Sequence, residues 1–431
     1  MILIYTHKLT NRFKYVTDLI FNSVLNIPFE ITDEREAFLL AQKPKLAYTT
    51  EEIASPVFIY SENLLFETGI KQIIPQAEKE YSNYPKFFAN SKSDFLGYDL
   101  FAMVFYFATR YEEYIKTEID KHQRFKAENS IAYSYNCLQI PFLNEAILDF
   151  SEKLKQKFPE LNFKKRDFNF TSTIDIDNAF AYANKGFKRN VGGFFKDLFS
   201  LKIKQSFTRI SSIINQEKDP YNTYKLINEL SKQVQLNYFV LIGDYSDYDK
   251  NPHFKNKGFK ELLIKLSNSY NLGLHPSYYC YKKEQSIKLE QQRLQNILNK
   301  NITSARCHFL RVNLPTTYRE FIKNGITDDF TMIYASQCGF RTGLCIPFKW
   351  YDIEHEEVTN LTIHTSIVME GILRDYNGLN LQDSKILVEK LMHEVKKHGG
   401  EFISIFHNDS FTAQNTDWIE LYKHILKTSL S

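Results

Sequence analysis

The chain has 431 residues, 43% hydrophobic and 15% aromatic, with 54 basic and 51 acidic residues giving a formal charge of +3. That length exceeds a single small core and implies two or three domains. So even a charge balance supplies no polyanion-binding field, which argues against nucleic acid as a partner.

Five cysteines, Cys137, Cys280, Cys307, Cys338 and Cys345, are odd in number and contain no CxxC pair. They indicate neither a disulfide framework nor a cysteine zinc knot, and a reducing, cytoplasmic location is expected. The opening "MILIYTHKLTNRFKYVTDLIF" reads as an ordinary first strand, without the basic segment, apolar core and cleavage site of a signal peptide. No window approaches the roughly 18 to 20 apolar residues of a membrane span.

Residues 1–165 read as a mixed α/β accessory domain, with strand-like pieces at "MILIYT" and "SPVFIY". A helix is expected over "DLFAMVFYFATRYEEYIK", because Phe101, Val104, Phe105, Ala108 and Tyr111 fall at three- and four-residue spacings. A polar loop, "DKHQRFKAENSIAYSYNC", leads into a second helix, "LNEAILDFSEKLKQKF". His122 and Arg124 in that loop fit a surface or hydrogen-bonding role better than a catalytic one.

From residue 168 the texture changes. Candidate strands are "FNFTSTIDID", "LNYFVLIGD", "NLGLHPS", "ARCHFLRV", "ITDDFTMIY", "LTIHTSIVM" and "EFISIFHN". Helical segments such as "SIKLEQQRLQNILN" and "LQDSKILVEKLMHEVKKHG" separate several of them. Repeated strand–helix order implies parallel strands joined by crossovers, and about seven strands approach the eight of a closed barrel. An irregular (β/α)7-type barrel over 166–431 is the expectation. An open doubly wound sheet is its rival, and no phosphate-binding glycine loop supports a nucleotide fold.

Working residues of a parallel barrel sit at the carboxyl ends of its strands. The alternation Phe168, Phe170, Ile174, Ile176 against Asn169, Thr171, Thr173, Asp175, Asp177 puts both aspartates on one polar face, their Cα atoms about 7 Å apart. The third strand ends at His275, the fourth carries His308 and Arg311, and the last ends at His407. Each alone has a plainer reading: a turn-capping aspartate, a hydrogen-bonded strand-end or core histidine, a surface arginine. Their coincidence on one rim points instead to a divalent cation with nitrogen and oxygen ligands, zinc first, since imidazole suits it and no thiolate is needed.

On these residues the chain resembles the NodB-type polysaccharide deacetylases, carbohydrate esterase family 4, and in particular the bacterial branch with an N-terminal accessory domain. "TIDID" is similar to a D-x-D form of that family's first motif, which implies Asp175 as the base and Asp177 as a metal ligand. In "HPSYY" His275 matches the first histidine of an H-x-x-x-H motif, whereas Tyr279 stands at the second. His308 is the preferred replacement ligand, and His253 a weaker one. "LRVNLP" offers Arg311 and Pro315 to hold the catalytic aspartate, without the compact family spacing, and "FISIFH" supplies His407 as the acid. "GFRTGLCIPFKWYD", with Arg341 and Trp350, resembles a branch-specific segment.

The resemblance implies metal-dependent removal of N-acetyl groups from a sugar or glycan precursor. Two other readings stay open: a catalytically degenerate deacetylase fold that binds glycan or protein, and a metal-dependent glycosyltransferase using "DID" as its D-x-D motif. Tyr245, Tyr248, Tyr278 and Tyr279 are rim candidates for stacking on a sugar ring.

Overall fold

A computed structural model describes residues 1–77, 81, 83–92, 95–115, 118–282 and 285–431. Its strands in chain order are β1 (Ile2–Tyr5), β2 (Phe29–Thr32), β3 (Lys45–Thr49), β4 (Phe58–Tyr60), β5 (Asn169–Ile176), β6 (Gln235–Leu241) and β7 (Asn271–His275), followed by β8 (Ser304–Ala305), β9 (Asp328–Asp329), β10 (Phe348–Asp352), β11 (Glu357–Ile363), β12 (Val368–Met369) and β13 (Glu401–His407). The chain forms two compact units. One comprises Met1–Asn169, Met332–Thr365 and His393–Phe402; the other comprises Phe170–Thr331, Ser366–Met392 and Ile403–Ser431.

The first unit holds a parallel sheet in the order β2-β1-β3-β4 and an antiparallel pair, β10 and β11. The helix Leu100–Ala108 is buried along its whole length, and Asp99 caps it by accepting from Ala102 N at 2.9 Å. The single helix expected over 99–116 is broken. Arg110 takes a left-handed φ of 56° and a short second helix, Glu112–Ile115, follows; Lys116 lies outside the described residues. Arg110 is held there by Glu112 (2.9 Å) and Glu113 (2.7 Å), so a buried ion pair overrides the helical periodicity.

The second unit carries seven strands in the order β9-β8-β7-β6-β5-β13-β12, parallel at every pair with a defined register. Among the described residues this row is open, which corrects the expectation of a closed barrel. β12, at the edge of the row, has only two residues, too few for a closing ladder.

β5 also departs from the half-polar strand expected of it. Every residue from Phe170 to Ile176 is buried, as in a parallel sheet covered on both faces. Its hydroxyls are satisfied internally: Ser172 Oγ lies 2.7 Å from Tyr422 Oη, and Thr173 Oγ1 donates to the Ser404 carbonyl at 2.7 Å. The helix Lys257–Ser267 shows how the covering layer forms. Asn256 caps it by accepting from Phe259 N, and Phe259, Leu263 and Leu266 recur on its buried face.

Candidate metal centre and its carboxylate partners

Parallel strands place their carboxyl ends along one edge, and a ligand site collects there. Asp175 lies one residue before the end of β5, and Asp177 just beyond it. His275 closes β7, and His407 closes β13. His308 follows β8 by three residues, opening a short 3-10 turn over His308–Leu310.

Asp177 is the hub. Its Oδ1 lies 3.1 Å from His275 Nε2, and its Oδ2 lies 3.3 Å from His308 Nε2 and 3.7 Å from His407 Nε2. One ligand atom each from Asp177, His275 and His308 falls within 4.8 Å of the others. Each imidazole is oriented through its other nitrogen. His275 Nδ1 is 2.6 Å from the Arg306 carbonyl, His308 Nδ1 is 2.9 Å from Asp249 Oδ1, and His407 Nδ1 is 2.7 Å from Glu370 Oε1. The carboxylates behind them are fixed in turn. Asp249 accepts from Tyr278 N and Ser246 Oγ, and Glu370 from His407 N and Ser410 Oγ.

These partners test whether a cation suits the site. A carbonyl only accepts, so His275 Nδ1 donates to Arg306, and the lone pair on Nε2 faces a carboxylate oxygen. That oxygen, Asp177 Oδ1, is buried without a hydrogen bond. Two electron-rich atoms face to face, with His308 Nε2 close by, form a donor set that a divalent ion completes. The imidazoles and Asp177 also balance one another's charge. Burial opposes ionisation of Asp177, but His308, His275 and His407 hold its carboxyl well below the usual range. Burial likewise opposes charge on His308, yet Asp177 and Asp249 raise it to about 9. Burial also works against charge on His407, where Glu370, Asp177 and Asp175 raise it well above the ordinary imidazole value.

Asp175 stands apart from this ligand set, 2% exposed, with Oδ2 3.9 Å from His275 Nε2. Its Oδ1 accepts from Arg306 Nη1 at 2.7 Å. The arginine against Asp175 is therefore Arg306, which corrects the expectation of Arg311. Arg311 instead donates to the Tyr278 carbonyl and lies over the rings of Tyr278 (3.8 Å) and Tyr281 (4.4 Å). Pro315 only precedes the helix Thr316–Lys323.

The remaining candidates fall elsewhere. His253 is exposed, its Nδ1 accepting from Lys255 N. Tyr279 is exposed, whereas Tyr248 stacks on Tyr278 at 3.9 Å, with Phe309 beside both. In the first unit, Arg341 pairs with both oxygens of Glu113, Trp350 is buried in β10, and Arg124 pairs with Asp120 at 2.7 Å beside His122. Arg306, Asp249 and Glu370 were not singled out from the sequence. Arg306 in "ARCHF" and Glu370 in "IVMEG" each stand one residue past a two-residue strand.

Residues 2–159 match the model of a family of unknown function (DUF7033), which covers less than half of the chain. No curated protein matches. Among solved structures, similarity is found to a Mycobacterium smegmatis protein described as a candidate polysaccharide deacetylase, at TM-score 0.40 and 10% identity over 62% of this chain and 86% of that one. A polysaccharide deacetylase from Bacillus cereus is similar at TM-score 0.29 and 12% identity, over 61% and 86%. Likeness at that level carries nothing about individual residues or activity.

Proposed function

We propose that this chain is a metal-dependent hydrolase that removes N-acetyl groups from a sugar or polysaccharide precursor. The reading rests on one observation: His275 and His308 both turn Nε2 toward Asp177 while carbonyl or carboxylate partners occupy their Nδ1 atoms. Asp177, His275 and His308 are the proposed ligands, and zinc the proposed ion, because two imidazoles and a carboxylate match its preferences. When bound, such an ion supplies Lewis-acid polarisation of an amide carbonyl and acidifies a water.

The chain's own groups handle the protons. Asp175, held by Arg306, accepts one from the attacking water as general base. His407, kept protonated by Glu370, donates one to the departing amine, which cannot leave as an anion. Uptake and delivery of protons thus use separate groups. The acetamido-sugar substrate follows from the motif resemblance of "TIDID", "GLHPS" and "FISIFH". Chemistry is assigned to 166–431, and residues 1–165 are left as an accessory α/β domain.

Acetate release from a panel of N-acetylated sugars, measured alongside metal content on the same preparation, tests the reading. Stoichiometric zinc with acetate release is the expected result. Protein that takes up no divalent ion even after incubation with zinc would instead favour a degenerate, binding-only fold.

A further inference from the structure

Between β5 and β6 the chain inserts two helices, Phe187–Phe199 and Ile203–Ile214, joined through residues 200–202. Polar contacts hold the pair together. Asp197 Oδ2 accepts from Arg209 Nη2 at 2.8 Å and Nε at 3.0 Å, and the guanidinium lies 4.5 Å over the Tyr182 ring. Gly193 makes room for it, since a Cβ there would lie 2.6 Å from the Arg209 guanidinium.

With polar groups inside, large apolar side chains face outward. Phe199 and Leu201 are each 84% exposed and Phe207 69%, and Phe195, Leu198, Ile203, Ile210, Ile213 and Ile214 are exposed as well. Leu201 occupies a left-handed position, φ 57°, where glycine would carry no steric cost, so the turn keeps an apolar side chain at some expense. Patches of this kind mark interaction surfaces.

Charge identifies what covers it. Residues 187–214 contain six basic residues and one acidic residue, although the whole chain is close to neutral. The single acid, Asp197, is paired with Arg209. Lys196, Lys202 and Lys204 are exposed and form no ion pair among the described residues. Exposed phenylalanine, leucine and isoleucine interleaved with unpaired lysines complement an anionic lipid surface. At 13 and 12 residues each helix is about 20 Å long, short of a roughly 30 Å hydrocarbon core, so the pair fits lying in the interface. No helix of the described residues is long and apolar enough to cross a membrane.

We propose that residues 187–214 dock the second unit on an anionic bilayer surface, with Phe199, Leu201 and Ile203 entering the headgroup boundary and Lys196, Lys202 and Lys204 facing lipid phosphates. A cleft of about 780 Å³ lies between this hairpin and chain segments that flank the candidate site residues in sequence. Leu201, Lys202 and Lys204 line it, as do Asn178, adjacent to Asp177, and Asp409, two residues beyond His407. Docking therefore sets the cleft at the lipid boundary. A substrate with a sugar head and a membrane-held tail suits that placement, a last step that rests on the proposed deacetylase reading.

Flotation of the full-length protein with phosphatidylglycerol–phosphatidylcholine vesicles, compared with phosphatidylcholine alone, tests docking without any catalytic readout. Binding is expected to the anionic vesicles and to fall steeply in molar salt, where the screening length shrinks to about 3 Å. Each lysine charge removed costs roughly fivefold in partition, so Lys202→Glu with Lys204→Glu loses at least about 25-fold. Phe199→Ser with Leu201→Ser removes most binding at unchanged circular dichroism. Leu201→Trp gives blue-shifted emission on the same vesicles. Asp175→Asn floats like the parent protein, so failure of the catalytic reading leaves docking measurable. Equal binding to neutral vesicles, absence of flotation, or a lipid-free dimer that Phe199→Ser dissociates would overturn the proposal, the last by giving this face to a second copy of the chain.

Discussion

Arg306, one residue past β8, reaches across the two intervening strands to Asp175 on β5 and sets Nη1 2.7 Å from Oδ1. Phe239 of β6 lies under the guanidinium at 4.5 Å, and Gly273 of β7 leaves the space this ring occupies, since a Cβ there would meet it at 2.6 Å. Nε and Nη2 are used on the Phe330 carbonyl (3.0 Å) and Ser366 (3.3 Å). Arg306 is wholly buried, so Arg306→Ala strands Asp175 without its partner and should cost about 3–5 kcal/mol in urea denaturation. Arg306→Lys keeps the charge but loses the fork that fixes Asp175, and turnover should fall by roughly 10²-fold. Arg311→Ala, which leaves that fork in place, should do neither. Equal losses from the two arginine variants would remove Arg306 from its positioning role.

The ligand set makes a graded prediction. Asp177→Ala should abolish zinc retention, and His308→Ala should weaken it, because both supply atoms to the cluster. Asp249 touches no proposed ion but orients His308 through Nδ1, so Asp249→Asn should cost about 10–100-fold in affinity. Asp175→Asn should leave affinity near the parent value while abolishing acetate release. Chelator competition on all four variants gives the ranking, and an Asp249→Asn affinity equal to the parent would break the link between that carboxylate and the metal.

How far the site could be read ahead of the structure depended on strand length. Asp175, His275 and His407 lie at or next to the ends of strands of five to eight residues, long enough to show where each strand stops. β8 and β12 have two residues each, too few for a pattern to fix their ends. Taking "ARCHFLRV" as one strand puts Arg311 at its tip, whereas the strand ends at Ala305 and Arg306 is the residue that turns inward. Glu370, one residue past Met369, is hidden by the same shortness. The outward face of the hairpin at 187–214 is not legible in sequence, because amphipathic periodicity marks an apolar face without saying whether that face lies inward.

Asp99 makes the fold itself pH-dependent. Burial pushes its carboxyl up to about 6 despite hydrogen bonds from Ala102 N, Glu62 N and Tyr48. The folded state therefore holds a proton that the unfolded chain releases near pH 3.8. Between those values the folded form binds more protons, so stability falls as pH rises and levels off above about 6. A shift of this size corresponds to about 3 kcal/mol. Asp99→Asn cannot ionise, and its denaturation midpoints should lose that slope whatever their absolute values. A slope from pH 4 to 6 unchanged in the variant would place the titration elsewhere.

His407 and Glu370 bear on the leaving group. An amine must be protonated to depart, whereas a phenolate or similar ester leaving group departs without help, so His407→Ala should slow amide cleavage by about 10²–10⁴-fold and activated-ester cleavage far less. Burial disfavours the imidazolium, and Glu370 is the largest influence opposing it, followed by Asp177. The acid is therefore competent below a raised pKa, and activity should decline as pH climbs through it. Glu370→Gln removes the main source of that elevation while retaining a side chain able to meet Nδ1, so the alkaline limb of amide hydrolysis should move to lower pH. The ester reaction should keep its profile in the same variant. Equal slowing of ester and amide by His407→Ala would assign His407 to the metal or to substrate binding, and leave the amine to find its proton from solvent.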